Sequence, residues 1–100
     1  MLDAGRDSIA FAKKRSRSEL DTDRMLLLSL VKCIEIIGEA ANGITPETQK
    51  KIPDIPWEDI INMRHRLIHA YYDINPDVVW QTVVEDIPAL VDTLEKVIAL

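Results

Sequence analysis

Residues 63–72, MRHRLIHAYY, gather two arginines, both histidines and both tyrosines of the chain into ten positions. Those side-chain types suit phosphodiester chemistry. Arginine offers a planar, bidentate clamp that neutralises the charge growing on phosphoryl oxygens, and histidine titrates close enough to neutral pH to move protons. RNA brings its own nucleophile, the 2′-hydroxyl, so the set needs no metal. The chain as a whole carries a net charge of −5, which opposes broad, sequence-blind binding along phosphates but leaves room for a compact basic site. Residues 1–32 hold seven Lys/Arg against five Asp/Glu, residues 33–100 hold five against twelve, and within that acidic remainder residues 60–72 contain no carboxylate.

Geometry sets a condition on this chemistry. Read as one helix beginning near Pro56, the segment PWEDIINMRHRLIHA buries a stripe of Trp57, Ile60, Ile61, Leu67 and Ile68, and Arg64 falls near the centre of that stripe. A core-facing guanidinium is costly unless it meets a carboxylate, here Glu35 or Glu39, or an anion arriving from outside. His65 and His69, four apart, share a face, whereas Arg64 and His69, five apart, diverge by about 140° on a straight helix. They meet over one ligand only if the helix ends or bends near His69, or if a second chain completes the site. Tyr71 returns to the side of Arg64.

Each residue also has a plainer use: Arg64 in a buried ion pair, His69 as a satisfied helix-end histidine, Tyr71 and Tyr72 as packing with wet hydroxyls. His65 and His69 form half of a metal site if Glu58 or a residue of another chain joins them, but HRLIH lacks the glutamate of a zinc-protease helix and the arginines oppose a cation. The basic run KKRS and Arg17, residues 13–17, reads first as a solvated helix end and second as an RNA-backbone contact.

The elements that must position these residues are helical. A first helix runs from 2 to about 14, followed by the polar connection RSRSELDTD. Asp23 caps a helix of about five turns that stops at Asn42-Gly43, with a narrow polar stripe of Lys32, Glu35 and Glu39, so it is covered on several sides. Thr45 caps a short helix with Pro46 in its first turn, and Asn75-Pro76 opens the final segment. There Val79, Val83, Ile87, Leu90, Leu94 and Val97 keep one stripe in phase through Pro88, which predicts a kink or split at that proline. Short connections favour antiparallel neighbours, so the expected fold is all-α, an up-and-down bundle of four principal helices in a single domain over residues 1–100.

An apolar fraction of 47% and a charged fraction of 29% are those of a soluble globular chain. Cys33, the single cysteine, lies in an apolar run and reads as a buried, inert thiol suited to a reducing cytoplasm. The longest apolar stretch, MLLLSLV, falls far short of the ~20 residues a membrane span needs.

RHRLIHAY, residues 64–71, resembles the Arg, four residues, His, one residue, Tyr motif of the HEPN superfamily, specifically its HepT-like branch. IEIIGEAAN at 34–42, IPWEDIINMR at 55–64 and VVWQTVVEDIPAL at 78–90 resemble the stretches that accompany the motif in that branch. The resemblance implies a helical bundle that forms a homodimer with two motifs facing across a cleft. It further implies a metal-independent endoribonuclease toxin without cofactor, neutralised by a cognate minimal nucleotidyltransferase that transfers AMP groups to the motif tyrosine, here Tyr71. Carried over, Arg64 holds the scissile phosphate, His69 is the general base or acid, and Tyr71 positions substrate and is the regulatory switch, with His65 and Arg66 in support. His65 stands where the branch often has Asn. The competing class is a non-catalytic module that binds a nucleotidyltransferase without cutting RNA.

Overall fold

A computed structural model of the chain describes residues 1–70 and 73–99, with the backbone alone described at residues 64, 67–70, 73 and 99. In chain order the elements are α1 (Leu2–Ala12), α2 (Glu19–Thr22), α3 (Arg24–Asn42), α4 (Pro46–Lys51), α5 (Trp57–Ile61), α6 (Met63–Leu67), β1 (Ile68–Ala70), β2 (Asp73–Ile74), α7 (Pro76–Gln81) and, after a π-helical turn over Thr82–Asp86, α8 (Ile87–Ala99). The expected four-part bundle is present as α1, α3, α5 with α6, and the last helix from α7 to α8.

The long helix α3 is the centre, packed by α1, α2, α5, α6 and α7. Its nine buried residues include Leu30, Ile34, Ile37 and Ala41, none of which exposes any surface. Asp23 caps it as expected, its Oδ1 accepting from the Leu26 N–H at 3.1 Å. That bond, followed by the Arg15 guanidinium, holds the Asp23 carboxyl below the usual carboxylate range. Cys33 is buried, and burial together with the nearby Asp7 charge raises its thiol pKa, so the thiol stays protonated and unreactive.

Glycine permits two close approaches. At Gly5 an added Cβ would stand 2.7 Å from Val91 Cγ2, so α1 lies flush on α8. At Gly38 it would stand 3.3 Å from the Ile60 carbonyl oxygen, so α5 lies close on α3, though with more room than at Gly5.

The connection after α1 is more ordered than its polar composition suggests. Leu20, its one apolar residue, is buried and nucleates α2. The arginines of the basic run are ion-paired: Arg15 with Glu19 and with Asp23, Arg17 with Asp21 at 3.1 Å and with Asp77 at 2.5 Å. Arg17 therefore fastens this connection to the start of α7, and Arg6 bonds Glu95 at 3.0 Å, so α1 runs antiparallel to the last helix.

Asn75 caps α7 by accepting from the Asp77 and Val78 N–H groups at 3.1 and 3.3 Å. Asn75→Ala is expected to lower stability by about 1 kcal/mol, read as a fall in thermal midpoint of a few degrees. The disruption expected at Pro88 is the π turn. Proline gives no N–H to the ladder and its ring presses on the carbonyl four residues earlier, that of Val84; the turn around Val84 widens, and the Ile87 N–H reaches back five residues to Thr82. The apolar stripe survives it, with Val79, Val83, Ile87, Leu90 and Leu94 all buried.

The all-α class holds, and one expectation within it is corrected. The segment from Trp57 to His69 is not one helix: it breaks at Asn62, whose φ of −91° and ψ of 0° lie in the bridge region, and helix ends at Leu67. A two-stranded antiparallel ladder follows in an otherwise helical chain, pairing Ile68 with Ile74 and Ala70 with Asp73 across a register shift. The β-branched Ile68 and Ile74, paired across that ladder, suit a strand.

Candidate active site

The motif sits where helix turns into strand. Trp57 anchors the start of α5: its indole N–H donates to the carbonyls of Gln49 and Ile52 at 3.1 and 3.0 Å. Gln49 in turn donates its amide to the carbonyls of Ala41 and Ile44 at 3.3 and 3.1 Å, which ties α4 and α5 to the end of α3. Ile60 and Met63 are buried, while Trp57 and Ile61 are only partly covered, so the buried stripe expected for a single helix is divided between two short ones. Met63, which that stripe omitted, is buried in the core and is the one buried side chain among those described in α6.

Arg64 follows Met63 in α6, and His69 is the middle residue of β1. The side chains of Arg64, Leu67, Ile68 and His69 lie outside the described atoms, and Tyr71 lies outside the described residues. The backbone nevertheless meets the condition the sequence imposed: helix ends two residues before His69, so the 140° divergence of a straight helix does not apply between Arg64 and His69. Of the ion-pair partners expected for Arg64, Glu35 is half-buried on α3 and Glu39 is exposed.

The two supporting residues separate. His65 is exposed on α6, its backbone N–H bonded to the Asn62 carbonyl at 3.0 Å. Arg66 reaches away to the Asp59 carbonyl, at 3.3 Å, and lines a cleft of about 320 Å³ between α5 and α8. Four carboxylates, Asp54, Asp59, Glu85 and Asp86, share that cleft with it. Sequence reading had no access to this acidic cleft, because its residues come from segments some thirty positions apart and no local pattern marks them. Among the described residues, no three His, Cys, Asp or Glu side chains gather as a metal-ligand set, and the His69 half of the His65/His69/Glu58 set is outside them. No helix among the described residues is long and apolar enough to cross a membrane.

Chemically, α6 and β1 place a guanidinium-bearing and an imidazole-bearing position around a helix end in a carboxylate-free stretch, with a second histidine exposed beside them. Comparison with known proteins identifies the family. A family model described as "Ribonuclease HepT-like" matches residues 1–97. "Probable ribonuclease HepT" of Thermococcus cleftensis is 40% identical over 74 residues, which is 74% of this chain and 67% of that protein. "Putative RNase MJ1380" of Methanocaldococcus jannaschii is 32% identical over 97 residues, 97% of this chain and 89% of that protein. No solved structure matches the chain.

Proposed function

The chain belongs to the HepT-like ribonuclease family, and from that membership we propose that it is a metal-independent endoribonuclease, the toxin of a toxin-antitoxin pair neutralised by a cognate nucleotidyltransferase in the cytoplasm. The observation that carries the proposal is the match of the ribonuclease family model over residues 1–97, and the helix end at Leu67, two residues before His69, is compatible with it.

In this reading Arg64 clamps the non-bridging oxygens of the scissile phosphate and balances the charge that grows there. His69 takes the proton of the 2′-hydroxyl, whose oxygen attacks phosphorus; the 5′-oxygen leaves and takes up a proton, giving a 2′,3′-cyclic phosphate and a 5′-hydroxyl. A homodimer with facing motifs supplies a second His69 for that second proton transfer. Tyr71 helps to position the substrate, and its phenol oxygen takes the AMP group of ATP on the nucleotidyltransferase, releasing pyrophosphate and the phenolic proton; the added phosphate repels RNA and closes the site. His65 supports the proton transfers from the exposed side of α6. Arg66, bonded at the acidic cleft, contributes less than its place in the motif suggests.

Controlled expression in a bacterial host tests the biological half of the proposal. Growth is expected to stop with wild type, to continue with His69→Ala, and to resume when the nucleotidyltransferase is co-expressed but not when its own catalytic carboxylates are removed. Equal arrest by wild type and His69→Ala would sink the ribonuclease reading and favour a non-catalytic module that binds the nucleotidyltransferase.

A further inference from the structure

The acidic cleft between α5 and α8 is absorbed by none of this chemistry. Its floor is apolar, formed by Ile60, Met63 and Leu90, and its rim carries Asp54, Asp59, Glu85 and Asp86 against the single guanidinium of Arg66. Among the described residues, no lysine or arginine side chain forms an ion pair with any of those four carboxylates. A surface of this kind repels RNA and suits an element that offers an apolar anchor beside cations.

The chain itself displays such an element. At the end of α1, Phe11 leaves 46% of its surface exposed. Lys13 and Lys14 follow it, both exposed and, among the described residues, without a carboxylate partner, whereas Arg15 and Arg17 in the same run are already engaged. Lys14 has a φ of 62°, a left-handed conformation ordinarily given to Gly or Asn, so a cationic side chain is held there against a backbone cost. A chain with a net charge of −5 repels its own copies at long range, so contact between copies must rest on local complementarity of this sort.

We propose that the cleft receives the α1 end of a second copy, with Phe11 on the Ile60/Met63/Leu90 floor and Lys13 and Lys14 against the rim carboxylates. Cleft and α1 end are different surfaces of one chain, so the contact is head-to-tail unless two copies reciprocate it about a two-fold axis. It uses neither Arg64 nor His69 and stands apart from the ribonuclease reading and from the dimer of facing motifs.

Sedimentation of the full-length chain over a concentration series tests it, using Lys13→Glu/Lys14→Glu, Asp54→Lys/Asp86→Lys and a chain carrying all four substitutions, each first shown to be folded by circular dichroism. Either reversed pair alone is expected to weaken self-association about tenfold or more. The chain with all four, and a mixture of the two half-reversed variants, is expected to recover it. Failure of that recovery overturns the proposal, as does association unchanged by either reversal; a dimer persisting equally in all four chains is then attributable to the motif-facing contact. Binding of a synthetic Leu/Lys peptide by wild type and not by Asp54→Lys/Asp86→Lys, with self-association unchanged, would assign the cleft to another protein and also overturn the proposal.

Discussion

Arg64→Ala is expected to lower kcat/KM for RNA cleavage by about 10²- to 10³-fold, the usual loss when a donor aimed at a developing oxyanion is removed. His69→Ala is expected to lose about 10²- to 10⁴-fold, since a proton transfer then falls to water. Arg64→Lys separates two parts of the arginine's role: it keeps the charge and forfeits the planar pair of donors, so activity should stay well below wild type. Thermal melts of each variant show whether the loss is chemical, and rates measured on a single labelled oligonucleotide give the ratio. A rate for Arg64→Ala within a factor of three of wild type would remove this arginine from the site.

Gly38→Leu tests the support of that site. The glycine lets α5 approach α3 until the Ile60 carbonyl stands 3.3 Å from where a Cβ would be. Alanine there gains up to about 1 kcal/mol in helix propensity, which offsets much of the strain from moving α5 by a few tenths of an ångström. Leucine places three further carbons where α5 runs, and overpacking of about 2–3 kcal/mol outweighs the propensity gain. The thermal midpoint should fall by about 10 °C or more. Activity at a temperature where the variant remains folded should fall too, because the segment displaced continues through the Asn62 break into α6 and Arg64. Gly38→Ala should remain close to wild type in both measurements, and a Gly38→Leu protein as stable and active as wild type would show that α5 has room to spare.

Much of the fold is legible because its signals are local. Asp23, Thr45 and Asn75 each announce a helix start through a side-chain oxygen within reach of the following N–H groups, and each does cap one. The stripe of Val79, Val83, Ile87, Leu90 and Leu94 shows through Pro88 because the π turn widens the helix without turning its buried face away. Leu20 is the counterexample: one apolar residue in RSRSELDTD gives no period to read, and its burial depends on the neighbouring α3.

The neighbourhood of the site is less legible, for a physical reason. From Trp57 to His69 the sequence satisfies a helical period, yet Asn62 interrupts it and helix gives way to strand at Ile68. Residue order suggested the roles proposed for Arg64, His69 and Tyr71, and the angular divergence of the first two on a straight helix set the condition that the helix end or bend near His69. Helix instead ends at Leu67 and a ladder between β1 and β2 follows, whose pairing of Ile68 with Ile74 and Ala70 with Asp73 no single residue type announces. The acidic cleft is a tertiary product throughout: Asp54 and Asp59 share it with Glu85 and Asp86 only once the π turn before α8 is folded beside α5.

The claim at the centre of this account is that the Arg64–Tyr71 stretch cuts RNA by using the RNA's own 2′-hydroxyl, without a metal. Cleavage of an end-labelled RNA by the purified protein in excess EDTA, beside the same oligonucleotide made 2′-deoxy at the cut position, tests it directly. The account predicts undiminished cleavage of the RNA to a 2′,3′-cyclic phosphate end and none at the deoxy position. Cleavage lost in EDTA, or continuing at the deoxy position, would contradict it.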